Sequence, residues 1–384
     1  LLGMLSAFGP FVTDMYLPSL PAMADYFSAS LPMVQMGLTT SMIGLALGQI
    51  FFGPLSDKYG RRPLLLVSML LFIVSTLFCL FAPDIYSFVT LRLIQGIAGA
   101  GGIVISRSVA IDKFSGKELA KMLAVIGAIN GVAPVAAPVI GGLLTGSVGW
   151  QGIFMILLFI GILLGIGCIR FKESLPAEKR SKTGVWATFR SFGIIVHNRR
   201  YMLYVFQLAF AQGILFAYIA SSPFIIQQHY GFSPFAFSIC FAVNAVAIGV
   251  AAALSVKFRR TENGTLTGCV GMLVFAVLQM AALYSGCGFW TYELLMFALL
   301  FMMGLTFTAS TTLAMDCERR YAGAASALLG ALCFASGGIV SPLVGLGDIL
   351  ISTGVTFVIC AVCSLLCALW AVKRTGPKVA LCRI

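Results

Sequence analysis

Long apolar runs alternate with short polar interruptions along this chain, and the rhythm persists from Leu1 to about Lys373. A helix that crosses a bilayer needs about 20 apolar residues. Windows of that kind lie near 1–24, 32–55, 63–82, 86–111, 119–145 and 150–170, then 200–228, 234–258, 264–286, 290–315, 321–346 and 350–373. Each is a continuous apolar run without the alternation of a barrel strand, so helices are expected. The pattern predicts an all-α polytopic membrane protein of twelve transmembrane helices. The longest polar interruption runs from Arg170 to Arg200 and divides the windows six and six. The expected organisation is an N-terminal six-helix half over 1–170, a cytoplasmic linker over 171–199, and a C-terminal six-helix half with a short cytoplasmic tail over 200–384. Repeated halves of this kind often enclose a binding site at their interface.

Composition agrees with that picture. Hydrophobic residues make up 60% of the chain and charged residues 10%, which excludes an ordinary soluble domain. A net charge of +12 taken alone suggests nucleic acid, but its placement points elsewhere. All of the 25 Lys and Arg except Arg92 and Arg107 fall in alternate loops and the C-terminal tail, among them Lys58, Lys113, Lys117, Lys121, Lys257, Arg259, Arg260, Arg319 and Arg320. The intervening loops hold none. This is the positive-inside asymmetry; it places both termini in the cytoplasm and removes nucleic acid as a partner. Residues 1–24 carry no basic region followed by a small-residue cleavage site, so they are read as a retained span. Because the first residue is not Met, some N-terminal residues are expected to be missing from the sequence.

Of thirteen acidic residues, only Asp14 sits deep inside an apolar window. An ionised carboxylate in hydrocarbon costs about 2.5–3.5 kcal/mol on insertion scales. It belongs in a bundle interior or a wet cavity where protonation relieves that cost, so Asp14 is the first candidate for a proton site. Arg92 lies roughly 9 Å from the outer end of its span and Asp14 roughly 15 Å from that of its own, at about 1.5 Å per residue. They can share the outer half of a cavity, or Arg92 can serve as a structural cation tying helices together. Arg107, near the other end of the same span, reads as a snorkelling residue. Tyr16, Gln95, Asn130, Gln207 and Tyr218 are the polar residues inside spans best suited to line a cavity, although interhelical hydrogen bonding explains each of them as well. Cys360, Cys363 and Cys367 share one helical stretch, but no His or carboxylate accompanies them and no metal site is expected. No G-x-x-x-x-G-K-[ST] loop is present, so ATP is not the expected energy source, and no cofactor is indicated.

The most specific string is Gly53-Pro54-Leu55-Ser56-Asp57-Lys58-Tyr59-Gly60-Arg61-Arg62-Pro63. Its Gly and Pro suit a tight turn between two helices, with Pro63 in the first turn of the second. It resembles the G-x-L-x-D-[RK]-x-G-R-[RK]-P loop of the major facilitator superfamily, a resemblance that extends over essentially the whole chain. Arg92-Leu93-Ile94-Gln95-Gly96 is similar to the R-x-x-Q-G element of proton-coupled drug exporters. Asp14-Met15-Tyr16-Leu17-Pro18 with Pro21 resembles the D-x-Y-L-P-x-x-P signature of the bicyclomycin/chloramphenicol-resistance branch. Trp150-Gln151-Gly152-Ile153-Phe154 resembles the W-R-x-x-F opening of span six, with Gln for Arg. Span five keeps Pro138-Val139-Ile140-Gly141-Gly142 but has Ile129, Ala133 and Ala137 where the antiporter motif has glycines. Pro134 and Pro138 still suit a bent helix.

The resemblance implies a secondary active exporter of drug-like molecules or metabolites, driven by proton antiport through alternating access. It implies Asp14 and Arg92 as the proton-coupling pair, Gly53, Asp57, Gly60, Arg61 and Arg62 as a cytoplasmic gating loop, and a monomer in the bacterial inner membrane. Its partners would be a small-molecule substrate, protons and lipid. The alternative on the same fold is a proton-coupled symporter or uniporter of a sugar or other metabolite. A membrane-embedded enzyme is disfavoured, since no His, Cys and carboxylate cluster occurs within the spans. If Asp14 is the only deep acid, dications should be handled poorly.

Overall fold

The computed structural model describes residues 1–180, 192–318 and 322–373. Side chains at 116, 117, 120, 123, 124, 127, 128, 130, 131, 179, 322 and 323 lie outside the described residues, and Asn130, a candidate cavity residue, is among them. The principal helices are α1 (Leu2–Asp14), α2 (Leu20–Tyr26), α3 (Leu31–Tyr59), α4 (Arg61–Leu80), α5 (Ile85–Lys113) and α6 (Gly116–Arg170). After the interruption come α7 (Arg199–Phe224), α8 (Pro234–Ser255), α9 (Thr261–Tyr284), α10 (Phe289–Cys317), α11 (Ala322–Leu343) and α12 (Ile349–Lys373).

Among the described residues, ten helices are long and apolar enough to span a membrane, against twelve windows in the sequence. Two local events account for the difference. Windows 119–145 and 150–170 run together as the 55-residue α6, interrupted only at Gly149, whose φ of 65° and ψ of −172° break the helical path where two spans meet. Window 1–24 is cut after Asp14 into the 13-residue α1, a short 3₁₀ turn over Leu17–Ser19, and α2. The cut follows from Pro18. A continuing helix would need the amide of residue 18 to donate to the Asp14 carbonyl, and proline has no such donor. Ser19 N instead donates to Tyr16 O at 2.9 Å, tightening the chain into the 3₁₀ turn.

The buried apolar side chains form three clusters, and their distribution describes the shape. One cluster joins helices from both parts of the chain, including Met15, Tyr16, Leu17, Leu38, Trp150 and Phe154 with Tyr218, Phe224, Phe241, Tyr292 and Val344. All of these lie toward the ends of the helices away from the basic loops. The other two clusters stay separate. One gathers Leu5, Phe8, Phe52, Met69 and Val109 from α1 and α3–α5; the second gathers Tyr201, Tyr204, Leu313, Ala325 and Ala371 from α7 and α10–α12. Among the described residues, no buried apolar cluster unites the two groups of helices at the basic end. The shared cluster therefore closes the groups against each other at the end away from the basic loops, and α11 with the turn after it packs along α3, from Gly345 beside Gln35 to Gly330 beside Gln49.

Hydrogen bonds across the closed end reinforce it. Gln35 Nε2 donates to Ala220 O at 3.0 Å, and Gln227 Nε2 donates to Pro18 O at 3.1 Å. Helix α6 anchors both sides of the seal. A Cβ at Gly141 would overlap the Met15 carbonyl oxygen, and one at Gly142 would lie 2.8 Å from Pro234 O and against Ser238 of α8. Thr145 Oγ1 and Ser19 Oγ are 2.9 Å apart. The Gly-Gly pair that the sequence places after Pro138 thus lets backbone meet backbone, on the α1 break and on α8 together.

The Gly53–Pro63 string folds differently from expectation. Helix α3 continues through Gly53, Pro54 and Asp57, and the reversal is made by Gly60 alone, at φ 101° and ψ 156°. Pro54 costs α3 a single ladder bond, which a membrane helix tolerates; a conformation near φ 100° is one that side chains rarely adopt. Arg61, the first residue of α4, is 6% exposed. Its guanidinium pairs with Asp57, with Asp112 at 2.9 Å and with Ser56 Oγ at 2.7 Å. Arg62 Nη2 donates to Ile169 O at 2.9 Å. Glu173, from the segment after α6, accepts from the amides of Arg61 at 3.0 Å and Arg62 at 3.2 Å, so it caps α4 from a distant part of the chain. Pro63 stands in the first turn of α4, as the sequence predicts.

Two outcomes follow from these contacts. Gly141→Ala forces a methyl group against a backbone carbonyl and should destabilise the purified protein by about 1–3 kcal/mol. Gly146→Ala, which meets nothing within 4 Å, serves as the control, and equal thermal unfolding of the two variants would disprove the contact. The second outcome concerns Glu173. Partial burial pushes its carboxyl group up, but amide donors from Leu175, Arg61, Arg62 and Ser174 outweigh this and hold it below the ordinary value of 4.5. A carboxyl group depressed in the folded state stabilises above its unfolded value, and that contribution is lost as pH falls through the folded one. The stability difference between wild type and Glu173→Ala should therefore be full above about pH 4.5 and shrink at lower pH. A difference that grows on acidification would contradict the cap.

Candidate functional site

Asp14 is the last residue of α1 and is 7% exposed. Because Pro18 ends the ladder, Asp14 stands at the C-terminal, negative end of a half-helix, between Val12 of one apolar cluster and Met15 of the shared one. Half-helix ends of this kind hold cations or protons in membrane transporters.

Arg92 of α5 has no exposed surface. Its Nη2 donates to Val12 O of α1 at 3.1 Å, its Nε to Gly37 O of α3 at 3.3 Å, and its Nη1 to Gln95 Oε1 on its own helix. The guanidinium carbon lies 4.4 Å from the centre of the Tyr16 ring and 5.7 Å from that of Phe154, within cation–π range. Gln95 Nε2 passes the network on to Thr76 Oγ1 of α4 at 2.7 Å. Gly96 makes the reach possible, since a Cβ there would overlap the Ser41 carbonyl and hold α5 away from α3. The R-x-x-Q-G element is thus one structural unit: a cation, its side-chain acceptor and the glycine that lets the helices touch.

No ion pair joins Asp14 to Arg92. Arg92 grips α1 at Val12 and Tyr16, on either side of Asp14, through a carbonyl and an aromatic face. Its charge remains without a carboxylate among the described ion pairs. The arrangement combines the two roles that the sequence left open, a tie between helices and a cation close to the acid. Tyr16, buried with its hydroxyl unpartnered, stacks its edge on Phe154 at 5.8 Å. An aromatic group of Tyr26, Phe27, Phe88, Trp150 and Phe154 covers this end.

The remaining candidates separate. Tyr218 of α7 lies in the shared cluster, stacked on Phe241 at 5.5 Å. Gln207 is elsewhere: its Nε2 donates to Ser364 Oγ at 3.1 Å and Cys269 Sγ at 3.4 Å, tying α7 to α12 and α9. Asn130 lies outside the described side chains. Among the described residues no group of His, Cys, Asp and Glu is arranged to hold a metal.

One functional candidate escaped the sequence reading. Glu293 of α10 accepts from Asn244 Nδ2 at 2.8 Å, and its Oε2 is buried with no partner. Asp14 is therefore not the only acid in the bundle, and the expectation that dications are handled poorly loses its premise. Glu293 stands only four residues after Phe289, where an acid in a sequence reads as belonging to a helix end. The signal available was the absence of any Lys or Arg in the adjoining loops.

Comparison with known proteins identifies the family. Residues 2–342 match the family model of the Major Facilitator Superfamily. An uncharacterized MFS-type transporter, YdgK of Bacillus subtilis, is 39% identical over 91% of this chain and 88% of its own. A bicyclomycin resistance protein homolog of Haemophilus influenzae is 30% identical over 89% and 87%. A chloramphenicol resistance protein of Pseudomonas aeruginosa is 27% identical over 72% and 67%. Among solved structures, the inward-facing bacterial homolog of the human lysosomal transporter Spinster superposes with a TM-score of 0.77 at 18% identity, covering 97% of this chain and 96% of that one. The Escherichia coli xylose transporter XylE superposes at 0.74 with 15% identity, covering 98% of each. The fold, the spans and these relatives together show that the chain belongs to the major facilitator superfamily of membrane transporters, and within it is similar to the bicyclomycin- and chloramphenicol-resistance proteins.

Proposed function

We propose that this protein exports small drug-like molecules across a bacterial inner membrane in exchange for protons. The basic loops face the cytoplasm in this reading, as the positive-inside rule requires, so the shared apolar cluster closes the outer side and access to the site is from the cytoplasm. The observation that carries the reading is the α1 break: Asp14 ends a half-helix in apolar surroundings, next to an Arg92 satisfied by neutral acceptors. A carboxyl group locked in a salt bridge would have to break it on every cycle. Asp14 has no such bond to break, while the Arg92 charge offsets the cost of its ionised form.

In the proposed cycle Asp14 releases its proton toward the cytoplasm as substrate enters from that side. The groups then rock, the outer cluster opens, and a proton from outside reloads Asp14 as substrate leaves. One proton crossing 100 mV supplies roughly 2.3 kcal/mol, a bias of about fifty-fold on a two-state equilibrium. The drug-resistance names of the relatives support export and suggest bicyclomycin and chloramphenicol as first compounds to try. In this reading the Asp57–Arg61–Asp112 cluster, with Glu173, holds the N-terminal helices as one rigid body during the rocking.

Everted membrane vesicles energised by respiration provide the test. Wild-type protein should accumulate chloramphenicol or bicyclomycin and lose the accumulation when the pH gradient is collapsed. Asp14→Asn should fall to the level of empty vesicles at equal protein abundance. Proton-driven accumulation that persists in Asp14→Asn would remove Asp14 from the mechanism.

A further inference from the structure

We infer that Glu293 is a second proton-binding carboxylate, set in the C-terminal group of helices and gated by the same closed end that holds Asp14. The inference rests on the proton-exchange reading above and extends it to a site in the other part of the chain.

The geometry begins with Asn244 of α8, whose Nδ2 donates both to Tyr218 Oη of α7 at 3.0 Å and to Glu293 Oε1 of α10 at 2.8 Å. One amide thereby joins three helices. Three polar atoms around it are buried without partners: Glu293 Oε2, Asn244 Oδ1 and Tyr292 Oη. An ionised carboxylate here leaves acceptors unmet and supplies no donor. A protonated carboxyl group adds the missing donor and removes the charge.

Charge accounting leads to the same state. The titratable groups facing Glu293 are Tyr218 from α7, Cys240 from α8 and Tyr292 beside it on α10. None is a cation at neutral pH. Helix α9, which packs along α10, carries its one charged residue, Glu262, at its far end. The described Lys and Arg residues of this part of the chain, Arg199, Arg200, Lys257, Arg259, Arg260 and Lys373, gather at the opposite end of the helices. From Asn244 to Lys257, for instance, is roughly 20 Å along the α8 axis. Asp14 has Arg92 beside it; among the described residues Glu293 has no comparable cation, so a proton is the species that neutralises it.

The gate is the closed end itself. Tyr218, Phe241 and Tyr292 belong to the same buried cluster as Met15, Tyr16, Leu17 and Trp150. Parting the groups at this end admits water to the Glu293 network, and closing them seals it. Closure with Glu293 ionised would bury an unmatched charge, so closure selects the protonated form. The site needs no open cavity, because its ligand is a proton.

Infrared titration of the purified protein in lipid reads the protonated carboxyl carbonyl directly and requires no transported compound. In wild-type protein carrying glutamate labelled with carbon-13 at the side-chain carboxyl, a protonated-acid band should be present at neutral pH and shifted by the label. It should vanish in Glu293→Gln, which keeps an oxygen to accept from Asn244, and persist in Asp14→Asn. An Asp14 band appears separately, unshifted by the label, so failure of one site is distinguishable from failure of the other. Absence of a label-shifted band from the wild type, or its persistence in Glu293→Gln, would overturn the inference. The labelled wild type alone decides the first point if the variant does not fold.

Discussion

A guanidinium shut away from water must have its donors met, and how Arg92 meets them shapes the N-terminal part of this protein. With no exposed surface, Arg92 reaches carbonyl groups on α1 and α3, an amide oxygen on α5 and two aromatic faces. Hydrogen bonds to a charged group are worth about 1.5–3 kcal/mol each, and losing one here would leave a buried charge partly unsolvated. The broken first helix depends on this grip. A chain that stops being helical inside a bilayer is tolerated only where neighbouring protein covers the freed backbone. Arg92 covers one side of the break at Val12 and Tyr16, and Gly141 of α6 covers the other at Met15. Asp14 is held at the break without either contact engaging its carboxyl group.

The three apolar clusters turn that local arrangement into a molecular state. Buried apolar area is favourable wherever water is excluded, so the shared cluster holds the two groups of helices together where it forms, while each group also keeps a cluster of its own. The polar cross-links of the closed end are single hydrogen bonds from Gln35 and Gln227, each worth about 0.5–1.5 kcal/mol net. A seal made of side-chain packing and a few neutral bonds can be undone and remade. The basic end is stiffened differently, by charge pairs confined to one group: Arg61 with Asp57 and Asp112, and the Glu173 cap on α4. Strong bonds lie within a group and weak ones between groups, which is the distribution that rigid-body rocking requires.

Much of this was legible in the sequence because membrane physics penalises exceptions. A lone acid and a lone arginine inside apolar runs identify themselves by cost, and the charge asymmetry identifies the spans between them. Pro18 ends α1, although the window 1–24 reads as a single span. What the sequence hides is partnership. Gln207 and Tyr218 read alike as polar residues on one span, yet one packs against α9 and α12 and the other enters the shared cluster. The Gly53–Pro63 string reads as a turn, but helix α3 runs on through Pro54 and Asp57 and only Gly60 adopts a left-handed φ. Glu293 was missed because depth along a sequence differs from burial. Four residues from a helix end, its oxygens turn inward to Asn244 rather than out to water.

The two acids of the bundle differ in what surrounds them, and that difference bears on energetics. With Arg92 beside it, Asp14 can lose its proton and leave the local charge near zero; with no cation near, Glu293 cannot. Moving a charge through the full membrane potential is worth about 2.3 kcal/mol per 100 mV, whereas a proton carried between neutral and charge-balanced states moves less field-coupled charge per step. In the proposed exchange the two acids therefore differ in how much charge each moves, and that difference follows from the placement of a single arginine.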